Sequence, residues 1–115
     1  MAQMVIDKEM EGRKTTLFLS GRLDYNTSPD FEQAMLDAFR YADTLVIDLY
    51  KLHYLSSAGM RVLLAGQRKA NKEEKTFSIV NVSKEIAALM ETMGFTTIFK
   101  MQQADAGTDK KESDT

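Results

Sequence analysis

Apolar and polar positions change their period several times along this chain, and each change marks an element. Thr15 to Ser20 (TTLFLS) is short, apolar and rich in β-formers, and Gly21 follows at once, so it reads as a strand ending in a turn. A weaker strand is predicted around Met4 to Lys8, with Gly12 in the turn of a hairpin whose loop spans several residues. Phe31, Ala34, Met35, Ala38 and Phe39 recur at helical spacing. Ser28 is the expected N-cap of that helix, with Pro29 at N1 and Asp30 and Glu32 in the first turn. Thr44 to Leu49 (TLVIDL) has the near-continuous apolar run of a strand in a parallel sheet. A second helix is predicted from Ser57 to Ala70, with Met60, Leu63 and Leu64 on one side, and then a polar loop from Asn71 to Lys75. Thr76 to Val80 is the next strand. Ser83 is placed to cap a third helix with the stripe Ile86, Leu89, Met90 and Met93; Gly94 and Phe95 suit a Schellman stop. Ile98 to Met101 reads as a last strand.

The order is strand, strand, then helices alternating with strands. Such alternation predicts an α/β domain with parallel pairing through crossover helices. The strand exits Gly21–Thr27 and Tyr50–Ser57 then open at one edge of the sheet, where open α/β sheets place their chemistry. Residues 1–101 form the expected domain. From Gln102 onward only two alanines are apolar, so residues 102–115 are expected to be a disordered tail.

Composition narrows the function. The chain has 115 residues, enough for one domain. It carries 15 Lys+Arg against 17 Asp+Glu with no basic stripe, which speaks against nucleic acid. Cys is absent, which removes disulfides, thiol catalysis and thiolate metal sites. The N-terminus has no signal-peptide h-region, and no apolar run reaches membrane-spanning length, so a cytoplasmic protein is expected. His53 is the only histidine. A Ser57–His53–Asp48 triad is a poor prospect, because no Gly-x-Ser-x-Gly elbow surrounds either serine. His53 therefore reads as a rim residue, and no phosphate-cradling glycine loop or metal set is present. Four of the eight methionines, Met35, Met60, Met90 and Met93, fall on apolar helix stripes and read as core.

The segment Ser56-Ser57-Ala58-Gly59 stands where a strand exit enters a helix. Either serine can cap free helix N–H groups. A hydroxyl there is also well placed for regulated phosphorylation, since the helix dipole favours the added charge.

Leu45 to Leu64 (LVIDLYKLHYLSSAGMRVLL) resembles the core of STAS domains, most closely the bacterial anti-sigma factor antagonists. Gly21-Arg22-Leu23-Asp24 is similar to the family's Gly-x-Leu/Ile-Asp turn, and Asn81-Val82-Ser83 and Met93-Gly94-Phe95 fit its rhythm. The resemblance runs from about Met4 to Met101. It implies the STAS fold, a mixed, largely parallel sheet with packed helices. It also implies a non-enzymatic antagonist that binds a kinase-type anti-sigma factor and loses that binding when a serine is phosphorylated. ATP would belong to the partner, and this chain would need no cofactor. Aligned on Gly59, the phosphoacceptor falls on Ser57. The residue before it is often Asp in the family; here it is Ser56, which is a second candidate acceptor. Asp24, Tyr25, Asn26, Ser56, Ser57, Gly59 and Arg61 are the residues expected to meet the partner. The alternative implied by the same resemblance is a docking subunit of a lipid-transport ATPase complex, or a scaffold without phosphorylation.

Overall fold

The computed structural model describes residues 3–94 and the backbone of residues 101–103. Its elements run β1 (Met4–Glu11), β2 (Lys14–Leu23), α1 (Ser28–Phe39), β3 (Thr44–Leu55), α2 (Ser57–Glu73), β4 (Thr76–Val82), α3 (Lys84–Thr92) and β5 (Met101–Gln103). The five strands pair in sequence order. β1 and β2 are antiparallel, and every later pairing is parallel. This is the mixed, largely parallel α/β sheet expected from the alternation.

Period-2 burial explains the layering. Leu17 and Leu19 of β2, Leu45, Ile47 and Leu49 of β3, and Phe77 and Ile79 of β4 all point into one cluster. Phe31, Met35 and Phe39 of α1, Met60 and Leu63 of α2, and Ile86 and Met90 of α3 fill the same cluster. All three helices therefore cover one face. The other face carries half-buried Phe18, Val46, Asp48 and Val80, and no helix among the described residues covers it.

Several boundaries differ from the sequence expectation. The hairpin loop is only two residues, Gly12 and Arg13, with Gly12 at φ 60. A two-residue loop with glycine first matches the twist of the flanking strands. β2 does not stop at Gly21. It passes through that residue at φ 100, where a Cβ would collide with the Gln3 backbone oxygen, and continues to Leu23. β3 runs six residues beyond Leu49, so most of the loop expected at Tyr50–Ser57 is strand. Two register shifts against β2 account for this, one between Phe18 and Ser20 and one between Gly21 and Arg22. Each inserts an extra residue into β3 and breaks the alternation. α2 extends through Asn71 to Glu73, which were expected in a loop, and stops where Glu74 turns left-handed at φ 58.

Ser83 caps α3 as expected, its hydroxyl accepting from the Ile86 N–H at 3.1 Å. Gly94 is left-handed at φ 78, as the predicted stop requires; its expected partner Phe95 lies outside the described residues, as do Ile98–Lys100 of the expected last strand. The backbone of β5 takes Gln102 and Gln103 into the sheet, two residues beyond the expected domain edge. The rest of the expected tail lies outside the described residues.

Candidate docking edge

The ends of β2 and β3 lie side by side, with Leu23 paired to Leu55 and the Ser56 N–H donating to the Leu23 carbonyl at 3.0 Å. The 24–27 turn and the start of α2 therefore share one edge, as the topology predicted. Both strand ends are anchored by fully buried leucines, Leu23 and Leu55.

The turn is held by its own side chains. Asp24 Oδ1 accepts from the Asn26 N–H at 3.0 Å and the Thr27 N–H at 3.1 Å. The Thr27 hydroxyl lies 3.2 Å from the same oxygen, donates to the Arg22 carbonyl at 2.8 Å and accepts from the Asp24 N–H at 2.8 Å. Arg22 Nε stands 3.5 Å from Asp24 Oδ2, while its guanidinium lies 4.3 Å over the Tyr54 ring. Desolvation pushes the Asp24 carboxyl up, but the Thr27 and Asn26 N–H groups, the Thr27 hydroxyl and Arg22 outweigh it, and the carboxyl is held below its ordinary value. A carboxyl depressed on folding stabilises above its unfolded pKa, and that contribution is lost as pH falls through the folded value. Acidification below the ordinary carboxylate range is therefore expected to loosen this turn before the sheet, which amide NMR of Asn26 and Thr27 against strand amides would detect. Simultaneous loss of all amides would contradict a local effect.

The same network moves the predicted helix cap. Ser28 is already helical, and its hydroxyl donates to the Asp24 carbonyl at 2.6 Å. Thr27 takes the N-cap position without a side-chain cap bond, because its hydroxyl is committed to the turn. Pro29 lies in the first turn as expected. The Asp-x-x-Thr spacing of Asp24 and Thr27 is the sequence signal for this turn.

Ser56 and Ser57 have different surroundings. Ser56 is the N-cap of α2 with extended backbone, and its hydroxyl accepts from the Gly59 N–H at 3.3 Å. Ser57 is the first helical residue, is exposed, and its hydroxyl makes no hydrogen bond among the described residues. Arg61 is exposed one turn further along the helix. Tyr25 projects from the turn with 81% of its surface exposed, and Asn26 beside it is exposed.

Gly59 is the correction among the expected contact residues: it is buried. A Cβ there would stand 2.7 Å from Leu23 Cγ and 2.9 Å from Leu55 Cδ1. Its place is beneath the edge, letting α2 settle on the two leucines. Gly59→Ala gains about 1 kcal/mol of helix propensity but forces overpacking that costs about 1–3 kcal/mol. A net loss of stability is expected in thermal melts; a gain would show that the leucines yield freely.

His53 is an exposed residue of β3 at the second register shift, not on a connecting loop. It makes no hydrogen bond to Asp48 or Ser57 among the described residues. Asp48 instead accepts from the Tyr50 N–H and from Asn81 Nδ2, both at 2.8 Å. Among the described residues no group of three or more His, Asp or Glu side chains is placed to hold a metal, and no helix is long and apolar enough to cross a membrane.

A family model described as MlaB, STAS domain, matches residues 6–102. The chain is 27% identical over 95 residues to the anti-sigma F factor antagonist of Paenibacillus polymyxa, covering 79% of this chain and 81% of the relative. The crystal structure of an anti-sigma factor antagonist from Mycobacterium paratuberculosis superposes with a TM-score of 0.77 at 26% identity, over 86% of this chain and 85% of that one. The phosphorylated form of the Bacillus cell fate determinant SpoIIAA shares the fold, with a TM-score of 0.67 at 17% identity over 84% of this chain and 90% of its own. The match over residues 6–102, on the sheet order and helix layer described above, places the chain in the STAS domain family.

Proposed function

We propose that this chain is an anti-sigma factor antagonist that docks through the Ser57 edge onto a kinase-type anti-sigma factor in the bacterial cytoplasm and is switched off by phosphorylation of Ser57. The observation that carries this reading is the division of labour between the two serines. Ser56 spends its hydroxyl on the Gly59 N–H, and Ser57 offers an exposed hydroxyl, without a hydrogen bond among the described residues, at the positive end of a 17-residue helix. The names of the relatives support the antagonist role, and a relative of the same fold exists in a phosphorylated form. ATP comes with the partner. Asp24 acts here as the clamp of the turn, while Tyr25, Asn26, Ser57 and Arg61 form the face offered to the partner.

Tyr25→Ala tests the face. An aromatic packed into an interface typically contributes about 1–2 kcal/mol, so affinity for the anti-sigma factor should fall about five- to thirtyfold. The melting temperature should stay at the wild-type value, because the ring is exposed. Unchanged affinity in a titration would remove the turn from the contact. A pull-down from the native host tests the partner class: a kinase-like anti-sigma factor supports this reading, and an ATPase subunit replaces it with the transport-complex alternative.

A further inference from the structure

The open face of the sheet carries a groove of about 380 Å³, lined by Asp7, Phe18, Ser20, Asp48, Tyr50, Lys51 and Asn81, with Leu19 below. It is separate from the Ser57 edge. Two irregularities build it. The register shift between Phe18 and Ser20 adds a residue to β3 and turns Tyr50 and Lys51 outward together. Asn81, left-handed at φ 57 within β4, brings its amide to Asp48. Asn81 is the unpaired residue of the register shift between β4 and β5, and Asn takes up this conformation more readily than other side-chain-bearing residues. Bulges re-aim side chains beside functional sites.

The polar groups divide into two sets. Asp48 is held through both oxygens, one on the Tyr50 N–H and the other on the Asn81 amide. The Asp7 carboxylate, the Ser20 hydroxyl and the Lys51 ammonium make no hydrogen bond or ion pair among the described residues. Asp7 pairs with Phe18 on one side of the groove, and Lys51 pairs with Ser20 on the other. Asp7 and Lys51 stand on strands two spacings, about 10 Å, apart, with β2 between them, and their side chains form no ion pair with each other. Phe18 and Tyr50 supply aromatic walls between them.

The geometry points to a binding site for a small zwitterion with an aromatic ring, of the α-amino acid class. Its carboxylate meets Lys51 and the Ser20 hydroxyl, its ammonium meets Asp7, and its ring lies against Phe18 and Tyr50. This assignment does not depend on the docking function.

Titration of the full-length protein with L-phenylalanine, followed by amide NMR, tests it. The expected result is saturable shifts confined to Asp7, Phe18, Ser20, Tyr50, Lys51 and Asn81. Phenylacetate and phenethylamine, which each keep one charge and the ring, should bind at least roughly tenfold more weakly. Lys51→Ala and Asp7→Asn, both at exposed positions, should each weaken phenylalanine by a similar factor with an unchanged melting temperature. Absence of saturable shifts below about 10 mM overturns the site. So does phenylacetate binding as tightly as phenylalanine. Shifts at these residues that appear only on adding a protein partner would assign the groove to a protein interface instead.

Discussion

Ser57→Asp is expected to abolish docking to the anti-sigma factor while leaving the domain folded. The added carboxylate sits at N1 of α2, where the helix dipole favours negative charge by about 0.3–1 kcal/mol, so the melting temperature should hold or rise slightly. A phosphoryl group there carries about −1.5 to −2 charge at neutral pH and meets the same free N–H groups. The loss is on the partner's side. A surface packed over this helix start would leave the charge desolvated or unpaired, at a cost of several kcal/mol, on the order of a thousandfold in affinity. Ser57→Ala should bind as wild type and resist phosphorylation. Ser56→Ala makes a demanding control. It removes the cap bond to Gly59 and should cost about 1 kcal/mol of stability, yet remain a kinase substrate. Calorimetric titration against the partner, paired with thermal melts of each variant, separates docking from folding. Wild-type affinity in Ser57→Asp would contradict the local mechanism.

Leu23→Ala is expected to produce the largest loss of stability among changes near the edge. Leu23 has no exposed surface, faces the first turn of α2 and pairs with Leu55. Truncating a buried leucine leaves a cavity and costs about 2–5 kcal/mol. For a domain of this size that corresponds to a fall of roughly 10 °C or more in melting temperature. Docking should weaken with it, because Asp24 and Ser56 are positioned from either end of this residue: Asp24 follows it directly, and the Ser56 N–H donates to its carbonyl. The contrast with Tyr25→Ala is the useful part, since that change should affect binding alone. A Leu23→Ala protein as stable as wild type would mean that α2 settles into the cavity without penalty.

The alternation of strands and helices was legible because burial follows clean periods where the backbone is regular. Leu17 and Leu19, and Leu45, Ile47 and Leu49, alternate with half-buried neighbours, and α1 buries Phe31, Met35, Ala38 and Phe39 as its spacing predicted. Legibility failed where the backbone is irregular. Tyr50 and Lys51 are both exposed, and His53 follows at a second shift, so the polar run after Leu49 resembled a loop although it is strand to Leu55. Gly21 resembles a stop because glycine usually is one; here it lets β2 pass close to the Gln3 backbone at the start of β1. At the edge, the sequence offers Ser57 with Ser56 as a second candidate, and the bond from the Gly59 N–H to Ser56, together with the exposure of Ser57, separates them. The filled lone pairs of Asp24 were equally out of reach, since they depend on how Thr27 and Arg22 fold around it.

The most direct measurement is to incubate the full-length protein with its cognate kinase-type anti-sigma factor and ATP, and to map the product by mass spectrometry. The account predicts a single phosphate on Ser57, its absence in Ser57→Ala, and release of the phosphorylated chain from the partner. Phosphate on Ser56 alone would move the switch by one residue and contradict the division of labour between the two serines. No phosphate on either serine, with the kinase active on another substrate, would leave a docking module without this switch.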